Sequence, residues 1–324
     1  MNVIQKDPGI IVGPISSFMG VILDFLFNFS YSITEKNSLG LSIIFLTIIV
    51  RFLMLPLMMK SQKSMVGIQK LQPEMEKIRN KHGNSKDPEI QRKINVEIQE
   101  LYSKNKVNPI SGCLPLFVTF PIFIALSYVM NQTYIFVDKL GVILRDMSEV
   151  IIEKVPDFIE VIVPIATPMV PRGMQIDISI PEDLMRVLNK FTPANFQAVL
   201  DSAPPEVAQQ LAEIILLKDD IQYFMGVNLT EFAGLAFPGI LIPILAAATS
   251  YLTSWYSTRT MNATDQSAKL QKRMLLIVMP IMIGVMTINL PSGVGLYWIT
   301  SGVFQIIQQP ILNKFYIEKL KKEA

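Results

Sequence analysis

The most chemically unusual residue in this sequence is Arg51, which lies in the apolar stretch LTIIVRFLMLP (46–56). An arginine at the centre of a membrane helix costs about 2.5–3.5 kcal/mol on insertion scales. Its guanidinium stays protonated when desolvated, so it needs an anion or water. Lys60 is roughly 13 Å away along a helix, which places Arg51 too deep to reach lipid headgroups comfortably. Because the long apolar segments described below contain no acidic residue, we expect a hydrated cavity around Arg51.

Other polar side chains in the apolar segments could line such a cavity. Thr47 precedes Arg51 by four residues and therefore lies on the same helical face. Further candidates are Thr119, Thr249, Ser250, Thr253, Ser254, Tyr297, Thr300, Ser301, Gln305, Gln308 and Gln309. Taken singly, each of these residues has a commoner role as a hydrogen-bonding contact between helices. Prolines interrupt four of the five segments, and such breaks are tolerated where the backbone faces protein or water.

The residues that usually carry catalysis do not form a site in this sequence. The single histidine, His82, lies in a charged turn, and the single cysteine, Cys113, begins an apolar segment without a neighbouring histidine. A lone cysteine also excludes an intramolecular disulfide. The sequence contains no GxSxG motif and no phosphate-binding loop facing the cytoplasm. We therefore predict a protein that is not an enzyme and that has no cofactor and no metal site.

The composition predicts an all-α polytopic membrane protein. Of 324 residues, 50% are hydrophobic and 17% are charged, and the mean hydropathy is +0.39. Apolar runs of roughly 17–25 residues are long enough to cross a bilayer as helices. Five such transmembrane helices are predicted, at residues 40–59, 112–131, 233–256, 274–291 and 294–313.

The distribution of charge predicts the orientation of these helices. Segment 60–110 has 11 Lys/Arg and 6 Asp/Glu, segment 257–273 has four basic residues and one acidic residue, and tail 314–324 has four lysines and two glutamates. Segment 132–231 instead has 7 basic and 15 acidic residues. Since basic residues on short loops mark the cytoplasmic side, we expect the N-terminus outside and the C-terminus inside.

Within the extracytoplasmic N-terminus, 1–38, residues 9–34 are predicted to form an amphipathic helix in the membrane interface. Polar and small residues recur there at spacings of three or four, at Ser17, Gly20, Asp24 and Asn28. Apolar residues occupy most of the remaining circumference, a pattern that favours an interfacial helix. A poor transmembrane helix is the alternative. The first residues lack a basic region and a small-residue cleavage site, so no signal peptide is expected.

Segment 60–110 is predicted to be a cytoplasmic helical hairpin. Two apolar stripes have helical spacing, the first at Ile68, Leu71, Met75 and Ile78 and the second at Ile90, Ile94, Ile98 and Leu101. The sequence GNSKDP (83–88) supplies the turn between them. The hairpin could be a solubilising spacer, or a docking arm for a ribosome, a targeting factor or an anionic lipid surface.

Segment 132–231 is predicted to form a small helical cap outside the membrane. It contains three helix starts led by proline, SIPEDL, FTPANF and APPEVA. Proline is favoured at the first position of a helix, particularly after Ser or Thr. The acidic, aliphatic-rich composition of the cap indicates no particular ligand.

Four long motifs, in order, resemble the YidC family of membrane protein insertases. TIIVRFLMLPL (47–57) resembles the arginine-bearing first core helix of that family. IQKLQPEMEKIRNKH (68–82) resembles its cytoplasmic hairpin, and VNPISGCLPLFVTFPIFIAL (107–126) its second core helix. LPSGVGLYWITSGVFQIIQQ (290–309) resembles the last core helix. The resemblance covers roughly 9–131 and 221–313.

The resemblance implies a five-helix core with a hydrophilic groove, open to the cytoplasm and to lipid and closed on the outside. Arg51 would supply the positive charge of the groove. The residues expected in the groove, or in the path beside it along which a substrate slides, are Thr47, Arg51, Thr119, Phe120, Phe123, Tyr297 and Trp298. Further candidates for its lining are Thr253, Ser254 and Gln305. The chain lacks a large periplasmic domain, as Gram-positive members do, and its loop 132–231 is longer than expected for the family.

The expected function is that of a membrane protein insertase and chaperone in the bacterial plasma membrane. Nascent membrane proteins would be its clients, and the translating ribosome, the signal recognition particle pathway, the Sec translocon and anionic lipids are candidate partners. Direct binding of nucleic acid is not expected. One alternative is a small-solute transporter or anion channel, although five unequal spans without an internal repeat oppose it. Another is an assembly chaperone that binds finished helices without translocating any segment.

Overall fold

The computed structural model describes residues 9–83, 87–108, 114–170, 176–259 and 266–312. Cys113, residues 84–86 of the predicted turn and the basic tail 314–324 lie outside these ranges. The described chain is mostly helical, with one short antiparallel hairpin of strands β1 (Tyr223–Phe224) and β2 (Val227–Asn228). The helices of the N-terminal half are α1 (Gly9–Ile33), α2 (Ser38–Lys81), α3 (Pro88–Lys104), α4 (Leu114–Asn131), α5 (Thr133–Phe136), α6 (Asp138–Lys154) and α7 (Phe158–Ala166). Those of the C-terminal half are α8 (Pro181–Leu188), α9 (Pro193–Ser202), α10 (Pro205–Gln222), α11 (Leu241–Thr258), α12 (Gln266–Arg273), α13 (Met279–Ile288) and α14 (Ser292–Leu312).

Three of the described helical segments are long and apolar enough to cross a membrane. They are Val12–Ile33, Ser38–Met65 and Lys269–Ile288. A shorter apolar segment, Phe117–Asn131, falls within the second predicted span. Helices α11 and α14 have the lengths of predicted spans, but their Ser, Thr, Tyr and Gln residues lower their mean hydropathy. The crossing of the membrane by all five predicted helices remains a prediction.

The chain divides into two compact units, each built from several segments. The first, called the outer unit after the orientation predicted from the charge distribution, comprises Met1–Thr47, Pro121–Pro243 and Met286–Trp298. The second, here called the inner unit, comprises Ile48–Phe120, Ile244–Val285 and Ile299–Ala324. The outer unit therefore contains the first residues of α2, α11 and α14 and the last residues of α4 and α13. The inner unit contains the opposite ends of the same helices.

Helix α1 packs on the outer unit with one face and exposes an apolar stripe on another. Leu23 and Phe27 are fully buried, whereas Phe18, Val21 and Phe25 are exposed, with Phe29 one turn further on. The polar residues of α1 face the beginning of the cap. The Asp24 carboxylate accepts a hydrogen bond from the backbone N–H of Asp138 at 3.1 Å, and a Cβ at Gly20 would lie within 2.2 Å of the Phe136 ring. Helix α1 thus passes the length and composition test for a span, and its interfacial position remains a prediction.

The cap comprises α5–α10 and is built around α6, on which α5, α8 and α10 pack. Leu140, Leu144 and Met147 of α6 are buried in its core. All three predicted proline-led starts are confirmed, because Pro181, Pro193 and Pro205 begin α8, α9 and α10. Thr192 forms a capping box at α9, in which its hydroxyl accepts from the backbone N–H of Asn195 and the Asn195 side chain accepts from that of Thr192.

Helix α2 runs without a break from the first predicted span into the hairpin. It is 44 residues long and contains Pro56 and Pro73, so the backbone stays helical across the predicted boundary between the span 40–59 and the hairpin 60–110. The second arm of the hairpin is α3, which begins at Pro88 after the N-cap Asp87. The two arms are joined near their base, where the Ser64 hydroxyl donates to the carbonyl of Asn108 at 2.6 Å.

The predicted apolar stripes of the hairpin are confirmed at Leu71, Ile94 and Ile98, which are buried. At the tip, Glu97 of α3 accepts from Lys81 at 3.3 Å and lies 2.9 Å from Nε2 of His82. Hydrogen bonds from these two partners lower the pKa of the Glu97 carboxyl, with the His82 hydrogen bond as the largest cause. The hairpin is therefore held both by its apolar seam and by a polar contact at its tip.

Candidate functional site

Arg51 and Thr47 lie one turn apart on α2, and both are buried. Arg51 is only 8% exposed, although it is the one charged residue between Ser38 and Met59. The Thr47 hydroxyl donates to the carbonyl of Ile43, one turn earlier, at 2.6 Å, which leaves its oxygen able to accept a further hydrogen bond. A buried guanidinium requires polar surroundings, because desolvation of an unsatisfied charge costs several kcal/mol.

Within the inner unit, α14 packs against both α2 and α11. The rings of Phe52 and Phe304 meet edge to face, with their centroids 5.2 Å apart and an angle of 81° between the planes. A Cβ added at Gly302 of α14 would lie 2.8 Å from the Cβ of Thr249 on α11. The backbone of α14 approaches α11 this closely only because residue 302 is glycine.

Helix α14 carries several polar side chains into this packing. Ser301 is buried, and among the described residues no group lies within hydrogen-bond distance of its hydroxyl. Two turns later Nε2 of Gln309 donates to the Ser257 hydroxyl, whereas its buried Oε1 has no hydrogen-bond partner in the described chain. Polar atoms buried in this way are usually satisfied by ordered water. This end of α14 is therefore chemically suited to a hydrated environment.

The remaining candidates differ in what the structure shows of them. Phe123 and Trp298, both in the outer unit, stack with their ring centroids 4.7 Å apart and an angle of 26°, and Tyr297 beside Trp298 is buried. In the inner unit, Phe120 is 58% exposed and Thr119 is half-buried. Thr253, Ser254 and Gln305 are also half-buried, and the Thr253 hydroxyl donates to the carbonyl of Thr249 at 2.8 Å.

The structure thus brings Phe123 and Trp298 into direct contact and gives burial and local hydrogen bonds for the other candidates. Three contacts were not anticipated from the sequence. Phe52 packs on Phe304, Gly302 lies close to Thr249, and Ser257 is the hydrogen-bond partner of Gln309. Gly302 in TSGVF (300–304) was the sequence feature from which close packing of two helices could have been predicted. No comparable signal identified Phe52, because it is one of many apolar residues around Arg51.

A second buried cation, in the cap, was also missed. Lys218 of α10 is 0% exposed, and its ammonium lies 3.4 Å from the carboxylate of Asp219 and 4.7 Å from the centroid of the Phe196 ring. Burial lowers the pKa of Lys218, opposed by the charges of Asp219 and Glu231. Burial also raises the pKa of Glu231, although Lys218 acts in the other direction.

Glu231 connects this cluster to the start of α14. Its backbone carbonyl accepts from the N–H of Ser292 at 2.7 Å and from the Ser292 hydroxyl at 3.1 Å. Its carboxylate accepts from Asn228 at 2.8 Å. Across the described ranges, no group of three or more His, Cys, Asp or Glu side chains could hold a metal ion. These contacts join α10 of the cap to the start of α14.

Comparison with known proteins identifies relatives of this chain. The chain is 27% identical over 297 residues to the membrane protein insertase YidC of Oceanobacillus iheyensis, covering 90% of this chain and 82% of that protein. It is 29% identical over 289 residues to the membrane protein insertase YidC of Enterococcus faecalis, covering 89% and 72%. The corresponding protein of Fusobacterium nucleatum is 27% identical over 288 residues, covering 88% and 92%.

The match to the family covers every described helix after α1. The sequence model of the family described as 60Kd inner membrane protein matches residues 29–319, which include α2, the hairpin, the cap and α14. The resemblance expected from the Arg51 motif and from LPSGVGLYWITSG is therefore confirmed. The chain belongs to the 60Kd inner membrane protein family, which is the YidC/Oxa1 family.

Proposed function

We propose that this chain is a membrane protein insertase that receives nascent membrane proteins in a hydrated groove containing Arg51 and releases their apolar helices into the bilayer. Support comes from membership of the family and from relatives that carry the name membrane protein insertase. The clients are membrane proteins, and the setting is the bacterial plasma membrane. The mechanism uses no nucleotide, because it is driven by the partitioning of apolar segments into lipid.

The observation that carries the groove is the burial of Arg51 in a bundle whose membrane helices have no carboxylate. The chain contains no Asp or Glu in α4, α11, α13 or α14, nor in α2 before Glu74. The half-buried Gln305 and the buried Ser301 and Gln309 of α14 lie in the same unit as Arg51. Hydroxyl and amide side chains form hydrogen bonds with ordered water, and such water solvates a guanidinium at a small cost in free energy.

The proposed topology has five spans, with the N-terminus outside and the C-terminus inside. It is supported by the composition of the outer unit, which contains the starts of α2, α11 and α14 together with the ends of α4 and α13. Helices that alternate in direction across a membrane would show this arrangement of ends. Two contacts between α11 and α14, Gly302 with Thr249 and Gln309 with Ser257, also progress in the same direction along both helices. That parallel packing agrees with the third and fifth spans running the same way.

In this mechanism the groove lowers the cost of moving polar residues part of the way across the membrane. A client segment enters from the cytoplasm, and its polar or acidic residues exchange bulk water for groove water, hydroxyls and the Arg51 guanidinium. Its apolar residues move sideways into lipid. Phe120, exposed on α4, and the stacked pair Phe123 and Trp298 offer apolar surface for that movement.

The hairpin of α2 and α3 would act as the receiving arm. It carries the excess of basic residues that predicted its cytoplasmic side, and such surfaces attract acidic protein surfaces and anionic lipid headgroups. Translating ribosomes, the signal recognition particle pathway, the Sec translocon and anionic lipids are therefore proposed as partners of this arm.

Site-specific photocrosslinking tests the proposal. A photoreactive residue would replace Gln305, and the matched control would replace Ile307 on the same helix, which is 62% exposed. Ribosome-bound nascent chains of a single-span membrane protein should crosslink to position 305 several times more strongly than to position 307. A chain that crosslinks at neither position but transports a small solute in vesicles would refute the insertase proposal in favour of a transporter. Equal crosslinking at both positions would refute the groove.

A further inference from the structure

A groove outside the proposed client path lies between α11 and the helical segment α12–α13. Its volume is about 320 Å³, near the lower end of the roughly 300–1,000 Å³ typical of sites for small organic ligands. The wall contributed by α11 consists of Ala247, Ala248 and Tyr251. The two alanines create the space, and the ring of Tyr251 closes one end.

The opposite wall owes its shape to an irregular turn. Between α12 and α13 the chain forms a π-helical turn, Met274–Val278, in which the N–H of Met279 donates to the carbonyl of Met274. Pro280 follows and lacks the N–H that would bond to the carbonyl of Leu276. A π turn is wider than an α turn and often marks a functional site. Leu276, Pro280 and their neighbours Ile277 and Ile281 line the groove along this irregular stretch.

Basic residues follow or precede both walls of the groove. Trp255 follows Tyr251 by one turn on α11, and Arg259, just after the end of α11, has its guanidinium 5.8 Å from the centroid of the Trp255 indole. On the other side, Arg273 precedes Ile277 by one turn. In the topology proposed above, α11 and the segment α12–α13 run in opposite directions, which would bring Arg259 and Arg273 to the same end of the groove.

We propose that this groove binds an anionic phospholipid of the inner leaflet, with an acyl chain between α11 and α13 and the phosphate held by Arg259 and Arg273. The apolar lining fits a hydrocarbon chain and offers no partner to a polar ligand. Tryptophan and arginine together are typical of the level of the headgroups, and cytoplasmic basic residues attract anionic lipids. An apolar client helix is the competing occupant, and its binding would not depend on the charge at Arg273. The proposal uses the membrane orientation inferred above but not the client groove, since neither Arg51 nor Gln305 lines this site.

Fluorescence quenching by brominated lipids tests the proposal. The sequence has two tryptophans, so Trp298→Phe leaves Trp255, which is 46% exposed, as the only reporter. The full-length protein with this change would be reconstituted in phosphatidylcholine vesicles without client. A small fraction of brominated phosphatidylglycerol should quench Trp255 more strongly than the same fraction of brominated phosphatidylcholine. Equal quenching by the two lipids would overturn the proposal.

Two further variants separate the headgroup from the acyl chain. Arg273→Gln should lower the relative affinity for phosphatidylglycerol about fivefold, the effect of one basic residue near a membrane surface. Ala248→Phe should fill the groove and abolish the preference, whereas Val285→Phe, on the exposed surface of α13, should leave it unchanged. If the Ala248→Phe variant keeps its preference for phosphatidylglycerol, the arginines alone attract the lipid, and the proposal that its acyl chain occupies the groove is overturned. Because no client is present, the outcome is independent of whether the chain inserts proteins.

Discussion

The cap and the membrane helices each bury one cation, Lys218 and Arg51, and they accommodate it differently. Lys218 has the carboxylate of Asp219 at 3.4 Å and the aromatic face of Phe196 at 4.7 Å. Arg51 lies on α2, and the five segments predicted to span the membrane contain no acidic residue. A cation with a carboxylate and an aromatic ring of its own domain contributes to stability, whereas Arg51 is proposed to interact with a transient anionic client. The comparison therefore contrasts a structural charge with a proposed functional one.

The largest effect is expected from removing the structural cation. Lys218→Ala leaves Asp219 and the partly buried Glu231 without their counter-charge and should destabilise the cap by about 3 kcal/mol. Hydrogen exchange of the α10 amides in the full-length protein measures the loss.

The control for that measurement is Lys154→Ala. The Lys154 ammonium is exposed and contacts only the Gln210 side chain among the described residues, so the stability should change by less than about 0.5 kcal/mol. Equal losses in the two lysine variants would show that burial of Lys218 contributes nothing specific.

The membrane helices should depend on close packing more than on charge for their stability. Gly302→Leu places side-chain atoms where Thr249 already lies and should destabilise the contact of α11 with α14 by about 2 kcal/mol. Val303→Leu, at the neighbouring exposed position, is the matched control. Thermal unfolding in a fixed detergent should show a lower midpoint for the first variant only, and an unchanged midpoint would contradict the close approach of these helices.

Replacement of Arg51, the cation proposed to act on clients, should reduce their insertion. Arg51→Ala should reduce the insertion of clients with acidic outer segments about tenfold, the effect of losing one charge-assisted hydrogen bond. Arg51→Lys should retain most of the activity. Insertion into proteoliposomes is the assay, with neutral outer segments as the comparison. Equal insertion of acidic clients by the wild type and by Arg51→Ala would remove the electrostatic role.

The smallest effect concerns the pH dependence of the cap. Burial raises the pKa of Glu231 above its ordinary value of 4.5, so the folded cap binds this proton more tightly than the unfolded chain. That contribution to stability is complete below pH 4.5 and is lost as the pH rises through the folded-state pKa. Glu231→Gln should therefore give a flatter dependence of α10 protection on pH in this window, and a slope identical to that of the wild type would exclude Glu231 as its source.

Much of the local structure was predictable because it depends on short-range patterns. The apolar stripes of the hairpin appear as buried Leu71, Ile94 and Ile98, and the prolines of the cap begin the helices expected of them. Arg51 was recognisable because a single charge in an apolar run is rare. The resemblance then selected the aromatic candidates, of which Phe123 and Trp298 prove to stack.

The features that escaped prediction depend on contacts between distant parts of the chain. The burial of Lys218 requires Phe196 and Glu231 to pack around it, which the run LKDD (217–220) does not reveal. The close approach of Gly302 to Thr249 joins residues more than fifty positions apart. The continuity of α2 was not predicted, because the change of composition near Lys60 divided the span 40–59 from the hairpin, whereas the backbone stays helical across both.

Because α2 is continuous, it can act as a lever, in the sense that it transmits a force from the hairpin to the turn that carries Arg51. From Arg51 to Lys81 it extends for roughly 45 Å at 1.5 Å per residue, so a force on the hairpin tip acts with a long arm on the turn that carries the guanidinium. Pro56 and Pro73 are the points at which such a helix bends most easily. Replacing the exposed Lys60 and Lys63 by glycines should soften the lever while keeping the contact of Ser64 with Asn108, and spin labels at positions 52 and 78 would then show a broader distribution of distances. An unchanged distribution would mean that the pairing of the arms, and not the helix itself, keeps the lever stiff.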